Sequence, residues 1–366
     1  MTKVPFLDLK AQYHAIRDEV LPALEAVCES TGFAQGPATK VFEQEFAAYC
    51  GVKQCVTLNS GTSALHVAML CLGVGPGDEV IVPAMTFIAT AWGVSYVGAK
   101  PVFVDIDPVR RTLDPRQLEA AITKRTKAII PVHLYGMPAE MDAILAVAGQ
   151  HGIPVVEDAA QAQGARYQGK RVGQFGVMAC TSFYPGKNLG AYGEGGALLT
   201  NNDEYAAHAR RLREHGQSQR YHHDEVGFNY RMDGFQGAVL SVKLKHLDKW
   251  NAARAAHARR YNELLKDLPL TLPTLPSDSE SVWHLYVIEA GHRDKLSENL
   301  NAAGINTGLH YPVPLHLQNV YTWLGHHKGS FPVSESLAGR CLSLPMFVEL
   351  TDEHVEAVAT TLRANK

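Results

Sequence analysis

The sequence lacks the long apolar run of a membrane-spanning helix, because no segment approaches the ~18 consecutive apolar residues that such a helix needs. The N-terminal residues, MTKVPFLDLK, contain no apolar core of a signal peptide. The formal net charge is -3, so there is neither a basic surplus for nucleic acid nor an acidic block typical of a disordered tail. These absences favour a cytoplasmic protein that binds neither membranes nor nucleic acid.

Paired cysteines are also missing. No CxxC pair occurs, and most of the six cysteines lie in apolar surroundings, at Cys28, Cys50, Cys55, Cys71, Cys180 and Cys341. This usage is typical of reduced, buried thiols in a cytoplasmic protein. The histidine pairs 222–223 and 326–327 do not indicate a metal site, because adjacent side chains on an extended chain point apart and no Cys or acidic partner stands at ligand spacing. We predict that no metal is bound.

Two nucleotide-binding signatures are absent as well. A Walker A loop needs a glycine six residues before its lysine and a Ser or Thr directly after it. Here Thr181 stands at the glycine position and Asn188 follows Lys187. No GxGxxG motif opens a helix after a strand, which weakens a dinucleotide-binding interpretation. The glycine-rich segment that contains Lys187, TSFYPGKNLGAYG, therefore needs another explanation.

From about residue 50 the sequence alternates short apolar runs with helical patterns. Strands are predicted at 78–84, 101–106, 128–135, 154–160, 177–184 and 196–201, and helices at 90–99, 114–122 and 139–152. This alternation predicts βαβ units and a mostly parallel sheet with helices on both faces. The strands are continuously apolar, which indicates that both faces of the sheet are buried.

The pattern changes near residue 233. Residues 233–268 form an amphipathic stretch of one long or two consecutive helices, and a Pro-marked linker occupies 268–280. Strands at 282–290, 305–311 and 341–345 and helices at 293–304 and 352–364 follow, which predicts a smaller α+β domain. We predict a large domain over residues 1–250 and a small C-terminal domain over residues 251–366.

Ligands of open α/β sheets bind at the carboxyl ends of the strands, and three features fall there. The turn NSGTSAL opens a helix whose free N–H groups suit a phosphate; the alternative is that Ser60 or Thr62 simply caps the helix. Asp158 follows a buried strand, and it either caps the next turn or keeps a ring nitrogen protonated. Lys187 follows another strand.

A helix start that binds anions, an acidic group and a lysine, in this order, fit pyridoxal phosphate (PLP). The PLP aldehyde forms a Schiff base with a lysine amine, and its phosphate binds a helix N-terminus. Its ring withdraws electrons only while the ring nitrogen stays protonated, which an ionised carboxylate enforces. We therefore predict PLP as the cofactor.

Motifs along nearly the whole chain resemble one family. They include FLDLKAQY, NSGTSAL, GPGDEVIVPAMTFIAT, VVEDAAQAQGA, SFYPGKNLGAYGEGGA, VGFNYRMDGFQGAVL and HYPVPLHLQ. Together they resemble the DegT/StrS family of PLP-dependent nucleotide-sugar aminotransferases, within the aspartate-aminotransferase superfamily. The resemblance implies the α/β fold type I of PLP-dependent transferases, with a large, mostly parallel sheet domain and a smaller α+β domain.

The resemblance implies a role for each matching residue. Lys187 is the catalytic Schiff-base lysine, Asp158 pairs with the ring nitrogen, and Phe87 stacks on the ring. The other cofactor contacts are Gln161 at the ring hydroxyl or Schiff-base side, and Gly61, Thr62, Ser63 and Ser182 at the phosphate. Asn229 reaches the phosphate from a neighbouring subunit, which implies a homodimer with shared active sites.

The implied activity is transfer of an amino group from L-glutamate to a nucleotide-linked keto-6-deoxyhexose, for O-antigen, S-layer glycan or antibiotic biosynthesis. The segments around HYPVPLHLQ favour carbon 3 of a dTDP-linked 3-keto sugar. The alternatives are a 4-keto sugar aminotransferase of the perosamine synthase type, a PLP-dependent sugar dehydratase, and a non-catalytic PLP-binding regulator. Related dehydratases have histidine at the position of Lys187, so this lysine favours amino transfer.

Sugar recognition is the least specified part of the sequence. Residues 308–318, GLHYPVPLHLQ, offer His310, Tyr311 and His316 as hydrogen-bonding side chains on a segment that two prolines stiffen. One hypothesis is that this loop, together with Tyr184, orients the hexose. The alternative is a rigid loop with surface histidines.

Overall fold

The computed structural model describes residues 3–365 of the chain. Its α-helices are α1 Leu9–Ser30, α2 Pro37–Cys50, α3 Gly61–Cys71, α4 Ala89–Ser95, α5 Leu118–Ala121, α6 Met141–Gln150, α7 Asp203–Arg213, α8 Gly234–Leu244, α9 Leu247–Leu265, α10 Arg293–Ala302, α11 Pro332–Arg340 and α12 Asp352–Ala364. Its strands are β1 Gln54–Leu58, β2 Glu79–Pro83, β3 Lys100–Val104, β4 Thr126–Ile129, β5 Val156–Asp158, β6 Arg166–Tyr167, β7 Lys170–Arg171, β8 Met178–Ser182, β9 Gly196–Thr200, β10 Gln217–Gln219, β11 His222–His223, β12 Ser279–Glu280, β13 Tyr286–Glu289 and β14 Cys341–Leu344. Within the described range, no helix has the length and apolar character required to cross a membrane.

A central sheet organises the larger part of the molecule. Four strands run in the order β1-β9-β8-β5 and three in the order β3-β2-β4. Parallel bridges from Ile129 to Val155 and from Val132 to Asp158 join the two groups through β4 and β5. β9 is antiparallel to both its neighbours, whereas β5 pairs with β8, and β2 with β3 and β4, in parallel. The predicted parallel-rich α/β sheet is therefore confirmed.

Helices bury both faces of this sheet. Neighbouring residues of one strand point to opposite faces, and Cys55 and Val56 of β1 accordingly pack in different clusters. Val56 contacts a cluster that α3, α4 and α7 contribute to, whereas Cys55 packs with residues of α2 and α8. Two-sided burial explains why these strands read as continuous apolar runs.

The C-terminal region has a separate apolar cluster. β13 and β14 pair antiparallel, and residues of α9, α10 and α12 pack with them around the buried Tyr261 and Tyr286. Val4, near the N-terminus, joins the same cluster. The boundary that the sequence predicts, between residues 250 and 251, falls inside α9, and the two-domain division stays a prediction.

Several element boundaries differ from the sequence-based expectations. The strand expected at 128–135 ends at Ile129, and Leu134–Gly136 form a tight turn with Tyr135 at φ 60°. Pro131 contributes to this early end because it has no N–H to donate. The strand expected at 305–311 makes only isolated bridges, at Ile305 and Gly308. The helix expected over 114–122 is a short turn followed by the four-residue α5.

Candidate active site

The candidate site lies where β5 and β8 end, beside the start of α3. Asp158 is the last residue of β5 and Ser182 the last residue of β8. These strands are parallel neighbours, with Asp158 opposite Cys180, so their carboxyl ends meet at one edge of the sheet. Loops after such ends are where open α/β sheets bind ligands.

The first turn of α3 approaches this edge very closely. Ser60 is the N-cap, and its Oγ accepts a hydrogen bond from the Ser63 amide at 3.0 Å, while the Ser63 hydroxyl donates to Asn59 at 2.6 Å. A Cβ atom at position 61 would lie 2.7 Å from the Cβ of Ser182, so only glycine allows this approach. The remaining amides of the turn, Gly61 and Thr62, precede the first intrahelical bond and suit an anion.

Asp158 is buried and oriented by two hydrogen bonds. Its Oδ2 accepts from the Thr90 hydroxyl at 2.7 Å, and its Oδ1 accepts from the Ala160 amide at 3.1 Å. Burial raises the pKa of this carboxyl, whereas the two hydrogen bonds and the nearby Lys187 act in the opposite direction. Asp158 therefore caps the turn after β5, as one alternative expected, and it also presents a carboxylate that a cationic partner would stabilise.

Lys187 lies in the turn that follows β8, with its amide donating to the Tyr184 carbonyl at 2.8 Å. Removal of its ammonium group from water lowers the pKa to about 8, and the Asp158 carboxylate partly opposes this shift. The neutral form of the amine, which a nucleophile or base requires, is thus far more populated near neutral pH than in an ordinary lysine.

Gln161, Tyr311 and Phe87 form a connected group beside Asp158. The side-chain nitrogen of Gln161 donates to the Tyr311 hydroxyl at 3.1 Å, and the side-chain oxygen of Gln161 accepts from the backbone amide of Tyr135 at 2.8 Å. The rings of Tyr311 and Phe87 lie 5.6 Å apart. Phe87 is 50% exposed, so part of this large aromatic ring is accessible to a flat ligand.

The other predicted sugar-binding residues differ in how close they lie to Lys187. His310 lies within electrostatic range of Lys187, and burial together with Lys187 lowers its pKa to about 4. Its Nδ1 pairs with the Ser343 hydroxyl at 2.8 Å. Tyr184 is exposed, two residues after the end of β8. His316, by contrast, is buried, and its Nε2 bonds Glu335 at 2.9 Å.

His316 therefore does not join Tyr311, and the hypothesis that these two residues together orient the sugar is not supported by the geometry. The 3₁₀ turn Leu315–Leu317 places the ring of His316 against the ring of Phe331, with the ring centroids 4.7 Å apart. The neighbouring Leu315 amide donates to Ala84 at 2.8 Å. His316 thus anchors the loop that carries Tyr311.

Asn229 lies apart from the other predicted residues. It is exposed and forms a bridge with Glu214. The next residue, Tyr230, accepts a hydrogen bond from the Asn59 amide at 2.8 Å, which connects this segment to the turn before α3. Within one chain the Asn229 side chain has no hydrogen bond to the group around Lys187, and its predicted role across a subunit boundary stays a prediction.

Sequence reasoning missed Thr90, Asn188 and His284. Thr90 belongs to the quoted segment PAMTFIAT, but nothing in the sequence shows that its hydroxyl reaches Asp158. The sequence assigns no role to Asn188 beyond its mismatch with the Walker A motif. His284 pairs with Asn188 at 3.2 Å, and no local motif links positions so far apart in the chain.

These residues fit PLP. The close approach of Gly61 to Ser182 forms a cradle that a Cβ would fill, and its amides suit the phosphate. Asp158 and Lys187 supply a carboxylate for a ring nitrogen and an amine for an aldehyde. Within residues 3–365 no three His, Cys, Asp or Glu side chains converge as metal ligands do.

The DegT/DnrJ/EryC1/StrS aminotransferase family matches residues 14–363. The chain belongs to this family. It is an aminotransferase, and the cofactor of such enzymes is the PLP that the site fits. The solved structure of Streptomyces venezuelae DesV superposes with a TM-score of 0.97 at 47% identity and covers 100% of this chain and 98% of that one. Bacillus subtilis NtdA with bound PMP, at 32% identity, has a TM-score of 0.92 over 100% of this chain and 85% of that one.

Curated relatives cover nearly the whole chain. The erythromycin biosynthesis sensory transduction protein EryC1 of Saccharopolyspora erythraea is 51% identical over 99% of both chains. The dTDP-3-amino-3,4,6-trideoxy-alpha-D-glucose transaminase of Streptomyces venezuelae is 49% identical, over 94% of this chain and 91% of that one. GDP-perosamine synthase of Caulobacter vibrioides is 41% identical over 94% of both.

Proposed function

We propose that this aminotransferase transfers the amino group of L-glutamate to a nucleotide-linked keto-6-deoxyhexose, most directly to carbon 3 of a dTDP-linked 3-keto sugar. The observation that best supports amino transfer is that Lys187, Asp158 and the start of α3 meet at one edge of the sheet. The regiochemistry is supported by the 49% identity to a dTDP-3-amino sugar transaminase. L-Glutamate as donor follows from the family resemblance.

Each residue has a defined task in this proposal. When bound, PLP supplies an aldehyde that takes up the amino group and a ring that withdraws electrons. The Asp158 carboxylate, fixed by Thr90, holds the ring proton. The Gly61 and Thr62 amides and the Ser182 hydroxyl bind the phosphate, and Phe87 and Gln161 orient the ring. Lys187 Nζ would act as the base that takes the proton from the α-carbon of glutamate and holds it for return in the same half-reaction.

The same amine works in the reverse direction when the keto sugar arrives. Lys187 Nζ then returns a proton to the sugar carbon that receives the nitrogen, because the two half-reactions share one base. Tyr311, held by Gln161, and His310 lie beside this position and offer polar contacts to the hexose. A misplaced carbonyl would leave such buried groups unpaired, which is how a site rejects a positional isomer.

The test is to incubate the PLP-loaded enzyme with L-glutamate and either the 3-keto or the 4-keto dTDP-6-deoxyhexose, and to locate the new amine by NMR. We expect amination at carbon 3 of the 3-keto sugar. Amination of the 4-keto sugar alone would replace this proposal by the perosamine synthase type of activity, which the 41% identity to GDP-perosamine synthase favours as the second candidate.

A non-catalytic regulator, the class suggested by the name of EryC1, would consume no glutamate. Formation of 2-oxoglutarate by the loaded protein therefore separates the two classes. Related dehydratases have histidine where this chain has Lys187. The lysine therefore favours amino transfer over dehydration.

A further inference from the structure

His284 is a polar residue beside Lys187 that the proposed mechanism does not use. It lies just before β13, and its Nδ1 is 3.2 Å from the Oδ1 of Asn188, the residue after Lys187. A Cβ atom at position 136 would lie 2.9 Å from the His284 amide nitrogen, so the tight turn that contains Gly136 packs against this backbone. His284 is therefore fixed from two sides.

A chain of amide hydrogen bonds determines the tautomer of His284. The Asn251 side-chain nitrogen donates to the Gln163 carbonyl at 2.9 Å, which only accepts, so Asn251 turns its oxygen towards Asn188. The Asn188 nitrogen then donates to this oxygen and to the Val282 carbonyl, each at 2.8 Å. Both of its N–H groups are used, so its oxygen can only accept from His284.

It follows that His284 carries its proton on Nδ1 and a lone pair on Nε2. Among residues 3–365, Nε2 has no hydrogen-bond partner, yet it is not among the unpaired polar atoms that are sealed from solvent. Nε2 therefore keeps some contact with solvent. Because both ends of the amide chain are backbone carbonyls, no rotation of a side-chain amide reverses this assignment without breaking a bond.

The surroundings keep His284 neutral. Burial lowers its pKa well below the ordinary value, and the nearby Lys187, Arg254 and His310 lower it further. The Arg254 guanidinium is itself fixed by the Met346 carbonyl at 2.7 Å. The neutral imidazole of His284 therefore offers a hydrogen-bond acceptor, and not a positive charge, near neutral pH.

We propose that Nε2 of His284 accepts a hydrogen bond from a hydroxyl group of the nucleotide-linked sugar and is thereby a specificity-determining residue. The inference rests on the proposed function, because a sugar presents hydroxyl donors at the site of Lys187. A sugar that lacks this hydroxyl, or presents a carbonyl in its place, meets an acceptor with no donor, and such a mismatch is discriminated strongly.

Two substitutions separate the two nitrogen atoms of the ring. His284→Asn keeps a donor near Nδ1 for Asn188 but removes the acceptor at Nε2, whereas His284→Gln places an amide oxygen near the position of Nε2. We expect His284→Asn to lower kcat/KM for the keto sugar about tenfold or more, with the glutamate half-reaction changed less than about threefold. His284→Gln should recover most of this loss. The exposed His292 provides the control His292→Asn.

Equal losses in both half-reactions, or no loss in either, would overturn the inference, provided that the wild type aminates the sugar. If the wild type forms 2-oxoglutarate but no amino sugar, the proposed function fails first. A measurement without turnover uses ¹⁵N-histidine-labelled enzyme. We expect NMR to show a neutral Nδ1–H tautomer for the resonance that His284→Gln removes, with and without PLP, and an Nε2–H tautomer would contradict the inference.

Discussion

At the scale of single residues, the site depends on the interaction between Asp158 and Lys187. Thr90 and the Ala160 amide fix the carboxylate. Desolvation lowers the pKa of Lys187, the carboxylate partly opposes this shift, and the net pKa is about 8. Desolvation favours the neutral form of each group, whereas the charge of each stabilises the charged form of the other. Removing one of them therefore changes the protonation of its partner.

Asp158→Asn tests this coupling. Attachment of PLP to the cofactor-free protein requires neutral Lys187, so its rate should rise with pH and level off above about 8. Without the Asp158 charge the Lys187 pKa falls, and the midpoint of this profile should move to lower pH. Stopped-flow absorbance measures it, and Asp18→Asn, at a fully exposed carboxylate, is the control.

The same variant should lose about a hundredfold or more in kcat, since the ring proton is no longer stabilised and ~1.4 kcal/mol of barrier is tenfold in rate. An unmoved or upward-shifted midpoint would contradict the coupling. Turnover within about threefold of wild type would contradict the role of Asp158 in holding the ring proton.

The sequence predicted which residues have functional roles better than it predicted which residues contact one another. Lys187 and Asp158 stand in motifs after buried strands, so chemistry and position select them together. His316 stands in a motif too, yet the turn after Pro314 directs it to Glu335. Thr90 and His284 contact the site across large sequence separations, and such contacts follow from packing, which no single sequence pattern encodes.

At the scale of elements, the position of α3 against β8 determines the anion site. The predicted helix start at NSGTSAL is found, with Ser60 as its cap. Strand ends were less predictable, because the run at 128–135 is mostly apolar but its regular strand ends at Ile129, and beyond it only an isolated bridge from Val132 to Asp158 continues the pairing. Apolar composition indicates burial, whereas strand ends depend on backbone hydrogen bonds to neighbours that the sequence does not show.

Gly61→Ala tests the contact between the two elements. The added methyl group would lie 2.7 Å from the Cβ of Ser182, so α3 must move away from β8 and the phosphate cradle must widen. We expect PLP affinity, measured by equilibrium dialysis, to fall about tenfold or more. Gly75→Ala, where nothing lies within 4 Å of the added carbon, should bind PLP like the wild type, and equal affinities for both variants would contradict the cradle.

At the scale of the whole molecule, one chain does not bring all the predicted cofactor contacts together. Asn229 is exposed, as is the aromatic residue Tyr96. Exposed aromatics on one molecule are typical of a surface that another molecule covers. This agrees with the predicted homodimer, in which Asn229 would complete the site of the neighbouring subunit.

Mixed dimers test the shared site. Lys187→Ala and Asn229→Ala subunits should each be inactive alone. After exchange of subunits, one site of each mixed dimer contains the intact Lys187 of one chain and the intact Asn229 of the other, so activity should return. Persistent inactivity despite exchange, verified with two different affinity tags, would count against sharing.

The central claim is that Lys187 is the lysine that binds the cofactor. A second buried lysine, Lys243, also has a pKa lowered by burial, to about 7, but its ammonium group donates to the Gly190 carbonyl at 2.7 Å and lies over the Tyr192 ring. Because both lysines have a lowered pKa, the pKa alone does not identify the lysine that binds the cofactor, and its position in the site has to be tested. The direct measurement is to reduce the PLP-loaded protein with borohydride, digest it and identify the modified lysine by mass spectrometry. We expect the pyridoxyl group on Lys187 alone, and its presence on Lys243 or any other lysine would contradict the account.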